Sequence, residues 1–276
     1  MSQSEYKIAI PSYKRTETIQ KKTLRVLEEY NVDPAKIQIF VNDQEPGEYD
    51  RYATALANHS YAKNIPIIKG VPTIGHQRNF IEKHYPEGTK LVMMDDDVEE
   101  VQKKISEQKL GRVDNIEQDV FAKGFDEMEK AGAKCWGIYA ASNAYFMKER
   151  VQTKLCYIIA SMFGQVVDHD PELQRVTNHG EDYEYSLRQY VKHGVLARLD
   201  WITVKSKYYG EEGGLQTIRT EQYIHDSISK IAELFPDLCT MYIRKTTGHA
   251  ELKLRDSTKG KYEKPVENNV EDLLFG

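Results

Sequence analysis

The chain has 276 residues, 40% of them hydrophobic and 29% charged, which suits one large domain or two small ones with a proper core. Its 43 acidic against 38 basic residues give a net charge of −5, which argues against a basic nucleic-acid coat protein but leaves room for a local cationic groove. No apolar run approaches the roughly 18 residues of a membrane span, the N-terminus lacks a signal-peptide layout, and Cys135, Cys156 and Cys239 lack metal-type spacing, so reduced thiols, a cytoplasmic setting and no membrane partner are expected.

Residues 6–10 read as a short strand stopped by Pro11. Ile19, Leu24, Leu27 and Tyr30 then fall near helical spacing, between Thr16 as a cap and Asn31. Residues 37–41 form a second β-rich run, closed by the polar turn 42–47, and residues 65–68 a third. A helix starting near Gly75 carries Gln77, Arg78 and Asn79, and residues 91–94 form a fourth strand that ends in Asp95, Asp96 and Asp97. Apolar strands this continuous, alternating with helices, predict a parallel sheet covered on both faces. Ligands of such sheets bind outside the carboxyl ends of the strands. Residues 11–15, Asn42 with Asp43, and residues 95–97 all follow strand ends, so they are expected to share one crevice.

Residues 99–119 are polar and read as a loop leading into a helix, whose apolar stripe is Ile116, Val120, Phe121, Phe125 and Met128. Residues 136–141 and 155–167 read as strands, the second too long for one straight element. A helix over 181–193 breaks at Gly194. From Lys205 the character changes to a flexible loop with Gly210, Gly213 and Gly214, an amphipathic helix over 218–235, a stretch rich in Lys and Arg, and an acidic tail over 267–272. This divides the chain into a core domain, 1–204, and an extension, 205–276, packed on it and ending in a flexible tail.

Three adjacent aspartates repel one another and raise each other's pKa unless positive charge sits among them. They are either a solvated acidic turn or a divalent cation site. Five stretches decide between these by resemblance: Ile8-Ala-Ile-Pro-Ser-Tyr-Lys-Arg15, Phe40-Val-Asn-Asp-Gln44, Gly75-His-Gln-Arg-Asn79, Met94-Asp-Asp-Asp97 and His179-Gly-Glu-Asp-Tyr-Glu-Tyr-Ser-Leu-Arg188. In order and spacing the set resembles family-2-type GT-A glycosyltransferases over roughly residues 6 to 195. The resemblance implies an α/β GT-A-type fold, a Rossmann-like, mostly parallel sheet flanked by helices, with a small C-terminal α+β extension. It implies a nucleotide-diphosphate sugar, UDP-type, as donor, held by Pro11, Ser12, Tyr13, Arg15, Asn42, Asp43, Arg78, Asp95 and Asp96. It also implies Mn²⁺ or Mg²⁺ on Asp95 and Asp97, with His249 as the candidate third ligand. The glycine before His249 permits a close backbone approach. Asp182 is the implied catalytic base of an inverting transfer, with Glu181 in reserve; two acids at a helix start also serve as caps.

The acceptor is less legible. Compact size and the Gly-rich stretch 208–215 look like the phage-encoded GT-A enzymes that glycosylate hydroxymethylated pyrimidines in DNA, which would place the chain in a host cytoplasm. Arg244, Lys245, Lys253, Arg255, Lys259, Lys261 and Lys264 stand against Glu251, Asp256 and Glu263. That balance fits a stripe gripping double-stranded DNA, with Lys253, Arg255, Lys259 and Lys261 as the contact set; it also fits a solvated tail. Tyr208 and Tyr209 could stack on an extruded base. Transfer to a capsule or other glycan stays open. A sugar-1-phosphate nucleotidyltransferase would carry glycine in its phosphate loop, and residues 11–15 have none. A silent scaffold is disfavoured by the intact set Asp43, Asp95, Asp97 and Asp182.

Overall fold

A computed structural model describes residues 5–206 and 220–263. The chain opens with β1 (Lys7–Ser12), then α1 (Thr16–Ile19), which runs through a π-helical turn, Gln20–Leu24, into α2 (Arg25–Glu29). There follow β2 (Ile37–Asn42), α3 (Glu48–Leu56), β3 (Ile67–Gly70), α4 (Ile74–His84) and β4 (Lys90–Met94). The four strands pair in parallel in the order β3-β2-β1-β4. Their apolar continuity has the predicted cause. Ile8, Ile10, Val92 and Met94 point into one core, while Ala9, Leu91 and Met93 point into the other, so both faces of the sheet are covered.

The second half adds β5 (Glu100–Lys104), β6 (Leu110–Arg112), α5 (Lys123–Lys130), β7 (Cys135–Ile138), β8 (Val151–Gln152), β9 (Met162–Val166), α6 (Glu181–His193), β10 (Ala197–Leu199) and β11 (Ile202–Lys205). Among the described residues the central sheet has eight strands, ordered β3-β2-β1-β4-β9-β7-β10-β8, with β9 antiparallel to β4 and β7, and β8 antiparallel to β10. A smaller sheet, β11-β5-β6, stands beside it. After residue 219 come α7 (Glu221–Leu234) and the hairpin β12 (Cys239–Ile243) and β13 (Ala250–Leu254). Ile224, Ile228, Ile231 and Leu252 of this part share a core with Tyr185 and Leu187 of α6. A Cβ on Gly180, whose φ is +70°, would lie 2.8 Å from Ile228, so the start of α6 requires glycine for both backbone and packing.

Several local expectations are corrected. Pro11 does not stop β1, which runs to Ser12; pairing with β4 ends at Ala9, and a strand with one side open tolerates a missing N–H. Thr16 is the first helical residue and not a cap, since the cap position is Arg15 with no side-chain bond. The stretch 99–119 contains the β5–β6 hairpin. Its strands are mostly half-exposed, with Val101 the one fully buried side chain of the pair, so its sequence looks like a loop. Strand structure in 155–167 is confined to β9; the chain before it takes an irregular path. The helix over 181–193 has the expected bounds, and Gly194 closes it with φ +73°. The predicted loop around Gly210, Gly213 and Gly214, Tyr208 and Tyr209, Lys264 and the tail 267–272 lie outside the described residues.

Candidate active site

The carboxyl ends of β1, β2 and β4 open into a crevice of about 990 Å³. Pro11, Ser12, Tyr13, Arg15, Asn42, Arg78, Asp95, Asp96, Asp97, Glu181, Asp182 and His249 all line it. Asp43 does not: its carboxylate accepts from the Tyr49 N–H at 3.1 Å and pairs with Lys69 at 2.7 Å, at the start of α3.

The three aspartates are separated by different partners. Asp95, about one third exposed, takes the Arg78 Nη2 at 2.7 Å. Asp96 is 4% exposed and accepts from the Ser12 hydroxyl and from Arg15 Nη1 at 3.0 Å. Asp97 shares Arg15 Nη1 at 3.2 Å and accepts from the Ser206 hydroxyl at 2.9 Å. Two guanidiniums therefore stand among three carboxylates, and the chain itself supplies part of the positive charge its sequence calls for. The balance is incomplete. Burial, followed by the charges of Asp97 and Asp96, pushes Asp95 up to about 7 against the pull of Arg78. Burial pushes Asp96 up to about 6. Among the described residues no group of three or more His, Cys, Asp or Glu side chains is arranged to hold a metal on its own.

Glu181 and Asp182 are adjacent in sequence and differ in environment. Glu181, 6% exposed, lies between Arg78 Nε at 2.9 Å and Arg175 Nε at 3.1 Å. Arg175, fully buried, also pairs with Glu82 at 2.9 Å and stacks on Tyr185 with 4.4 Å between guanidinium carbon and ring centre. A carboxylate held between two buried guanidiniums ties Arg78, which also reaches Asp95, to Arg175. Asp182 points to the crevice and accepts from the Tyr157 hydroxyl and from the Tyr183 N–H at 3.0 Å. Burial, then the charge of Glu181, raises it to about 6. Tyr157 and Tyr183 stack at 4.3 Å between ring centres and wall the crevice beside it. Glu184 accepts from the Val176 and Thr177 N–H groups of the segment ahead of α6, while Asp182 itself meets the first-turn N–H of Tyr183.

No curated protein sequence matches this one. A sequence model of the TET-associated glycosyltransferases matches residues 6–214, more than two thirds of the chain. The chain belongs to that family. Every crevice residue named above except His249 falls inside the match. Its fold is similar to that of S. aureus TarS residues 1–349 in complex with UDP-GlcNAc, at 12% identity and TM-score 0.55, covering 83% of this chain and 66% of that one. It is also similar to the mannosyltransferase PcManGT from Pyrobaculum calidifontis in complex with GDP-Man and Mn²⁺, at 12% identity and TM-score 0.50, covering 84% and 66%. The chain thus spans slightly less than two thirds of the length of these structures, and what they share with it is the GT-A-type fold.

In this member of the TET-associated glycosyltransferases the β12–β13 hairpin closes one side of the crevice. Arg244, His249, Ala250 and Glu251 line it, with Arg244 Nε on Glu251 at 2.5 Å. His249 lines the same crevice but is not gathered with Asp95 and Asp97 into a three-ligand cluster. Alternation along β13 buries Ala250 and Leu252 and turns Glu251 and Lys253 outward. Lys253, Arg255, Lys259 and Lys261 are all exposed, none of them lining the crevice. Sequence reading missed Arg175, Tyr157 and Ser206. None carries a local signal, because each acts on a carboxylate that is 25 or more positions away or, for Arg175, on two helices at once.

Proposed function

We propose that this glycosyltransferase moves a sugar from a UDP-type nucleotide-diphosphate donor to the hydroxyl of a 5-hydroxymethylated pyrimidine in double-stranded DNA, with inversion at the anomeric carbon. The observation that carries this reading is the meeting, in one crevice, of the Asp95–Asp97 cluster from the end of β4 with Asp182 from the start of α6. The UDP-GlcNAc, GDP-Man and Mn²⁺ of the two similar structures support the donor class and a divalent metal. Asp95 and Asp97 offer hard oxygen donors in a site whose carboxylates are under-compensated, which suits Mn²⁺ or Mg²⁺ completing its shell with diphosphate oxygens and water. Such an ion, when bound, supplies Lewis-acid stabilisation of the leaving diphosphate.

The chain's own groups do the rest. Pro11, Ser12, Tyr13 and Asn42, at the ends of β1 and β2, form the nucleotide side of the crevice, with Asp43 outside its wall. Arg15 and Arg78 keep positive potential beside the aspartates, and Glu181 and Arg175 hold Arg78 in place. Asp182 takes the proton of the acceptor hydroxyl as that oxygen bonds to the anomeric carbon and the bond to the diphosphate oxygen breaks. The Tyr157 hydroxyl binds one carboxylate oxygen and the Tyr183 N–H the other, and each oxygen keeps a second lone pair that can take the proton. For the acceptor, support comes from the exposed basic residues Lys253, on the hairpin that closes the crevice, and Arg255, Lys259 and Lys261, which follow it, and is in keeping with the family's name.

The test is to incubate the protein with Mn²⁺ and UDP-glucose, UDP-GlcNAc or GDP-mannose, following nucleoside diphosphate release and the mass of duplex DNA with and without hydroxymethyl groups. Transfer that requires the hydroxymethyl group is expected. Replacing Lys253, Arg255, Lys259 and Lys261 by Gln should flatten the log–log salt dependence of duplex binding by up to about 3.6, from roughly 0.9 per phosphate neutralised. Transfer to a free glycan and never to hydroxymethylated DNA would overturn the acceptor.

A further inference from the structure

The crevice poses a problem that its own residues do not solve. Asp182 stands within its wall, beside the stacked Tyr157 and Tyr183. A pyrimidine inside a duplex cannot bring a hydroxymethyl oxygen to that depth without leaving the base stack, and enzymes acting on such bases extrude them. The vacated position must then be filled or the stack closes again.

Elsewhere on the surface, two large aromatic rings are held out in water. Tyr145 is 66% and Phe146 57% exposed, edge to face with 5.1 Å between ring centres. The turn that carries them is firmly built. Ala144 and Met147 on either side are buried. The Tyr145 N–H donates to Asn143 Oδ1 at 3.1 Å, and Lys104 Nζ donates to the Met147 carbonyl at 2.7 Å, tying the turn to the end of β5. Rigid presentation of apolar rings to solvent costs stability and marks a contact surface.

Position and charge indicate what the surface meets. The same segment supplies Ala140 and, four residues ahead of Tyr145 in the chain, Ala141 to the crevice wall. Residues 100–112 and 139–154, joined through Lys104 and Met147, hold seven basic residues against three acidic ones, in a chain whose net charge is −5. Lys109 and Lys148 are exposed and make no ion pair among the described residues, which leaves them available to phosphates. Apolar side chains flanked by cations are the chemistry by which proteins open a base step.

We propose that Tyr145 and Phe146 form a wedge that enters duplex DNA beside the target, fills the gap left by the extruded hydroxymethylpyrimidine and holds that base in the crevice. The inference rests on the DNA-acceptor reading above. Its test compares one hydroxymethylpyrimidine presented in duplex and in single-stranded oligonucleotide, using the full chain. Tyr145→Ala with Phe146→Ala should lower kcat/KM on duplex tenfold or more and leave the single strand within about twofold, because an unpaired base needs no wedge. Tyr145→Trp with Phe146→Trp should keep duplex activity. Fluorescence of 2-aminopurine placed next to the target should rise when the parent binds without donor and should not rise with the double alanine variant. Both positions are exposed, so an unchanged melting temperature checks the fold. Equal losses on duplex and single strand, or no loss on duplex, would overturn the wedge while leaving the acceptor reading in place; the second outcome would make the pair a protein-contact surface. A parent enzyme that modifies neither form of hydroxymethylated DNA fails the acceptor reading itself, and the wedge with it.

Discussion

If Asp182 takes the acceptor proton, kcat/KM should follow its ionised fraction. An ordinary aspartate near 3.8 would be more than about 90% ionised at pH 5, and the rate would be almost flat from there to neutrality. Here burial and the neighbouring Glu181 raise the carboxyl to about 6, opposed by the Tyr157 hydroxyl, the Tyr183 N–H and Arg78. A base at that value is ionised to about 90% at pH 7 and about 10% at pH 5, so activity should fall close to tenfold over those two units. The sign is fixed by the role: a raised pKa in a group that must be unprotonated puts the loss on the acid side. Tyr157→Phe removes a hydrogen bond made to the ionised form, so the acid limb should move to higher pH, with most of the parent rate recovered on its alkaline side. Asp182→Asn should bind donor, lose transfer by about 10²- to 10⁴-fold and show no such limb. The assay is nucleoside diphosphate release against pH at fixed metal, with donor affinity measured separately by calorimetry. An acid limb that is the same in the parent and in Tyr157→Phe, or an Asp182→Asn rate within a few-fold of the parent, would refute the assignment.

Asp97→Ala should abolish the metal-dependent part of donor affinity in calorimetry with UDP and Mn²⁺, while Arg15 keeps its bond to Asp96 and the fold persists; unchanged affinity would remove Asp97 from the metal set. Arg175→Met leaves Glu82 and Glu181 buried without their shared cation. It should cost about 3–5 kcal/mol in urea unfolding, the scale for breaking a buried pair. A loss below about 1 kcal/mol would show that Glu181 is satisfied by Arg78 alone.

The parallel half of the sheet was legible in the sequence because its strands are buried on both faces, and that requirement writes itself as unbroken apolar runs at 37–41 and 91–94. The crevice followed from the same fact, since polar clusters placed after such strands converge at one edge of a parallel sheet. Elements that bury one side or none left weaker traces. The β5–β6 hairpin reads as loop because water covers most of it, and Pro11 looks like a stop until one sees that β1 has an open side there. The different surroundings of Glu181 and Asp182 were beyond the sequence altogether. Both are acids at the first turn of one helix, and they differ only in what the fold brings to them from elsewhere in the chain: Arg78 and Arg175 to the first, Tyr157 to the second. Charge is a property of the residue, but which cations, hydroxyls and N–H groups meet that charge depends on neighbours that only tertiary folding supplies.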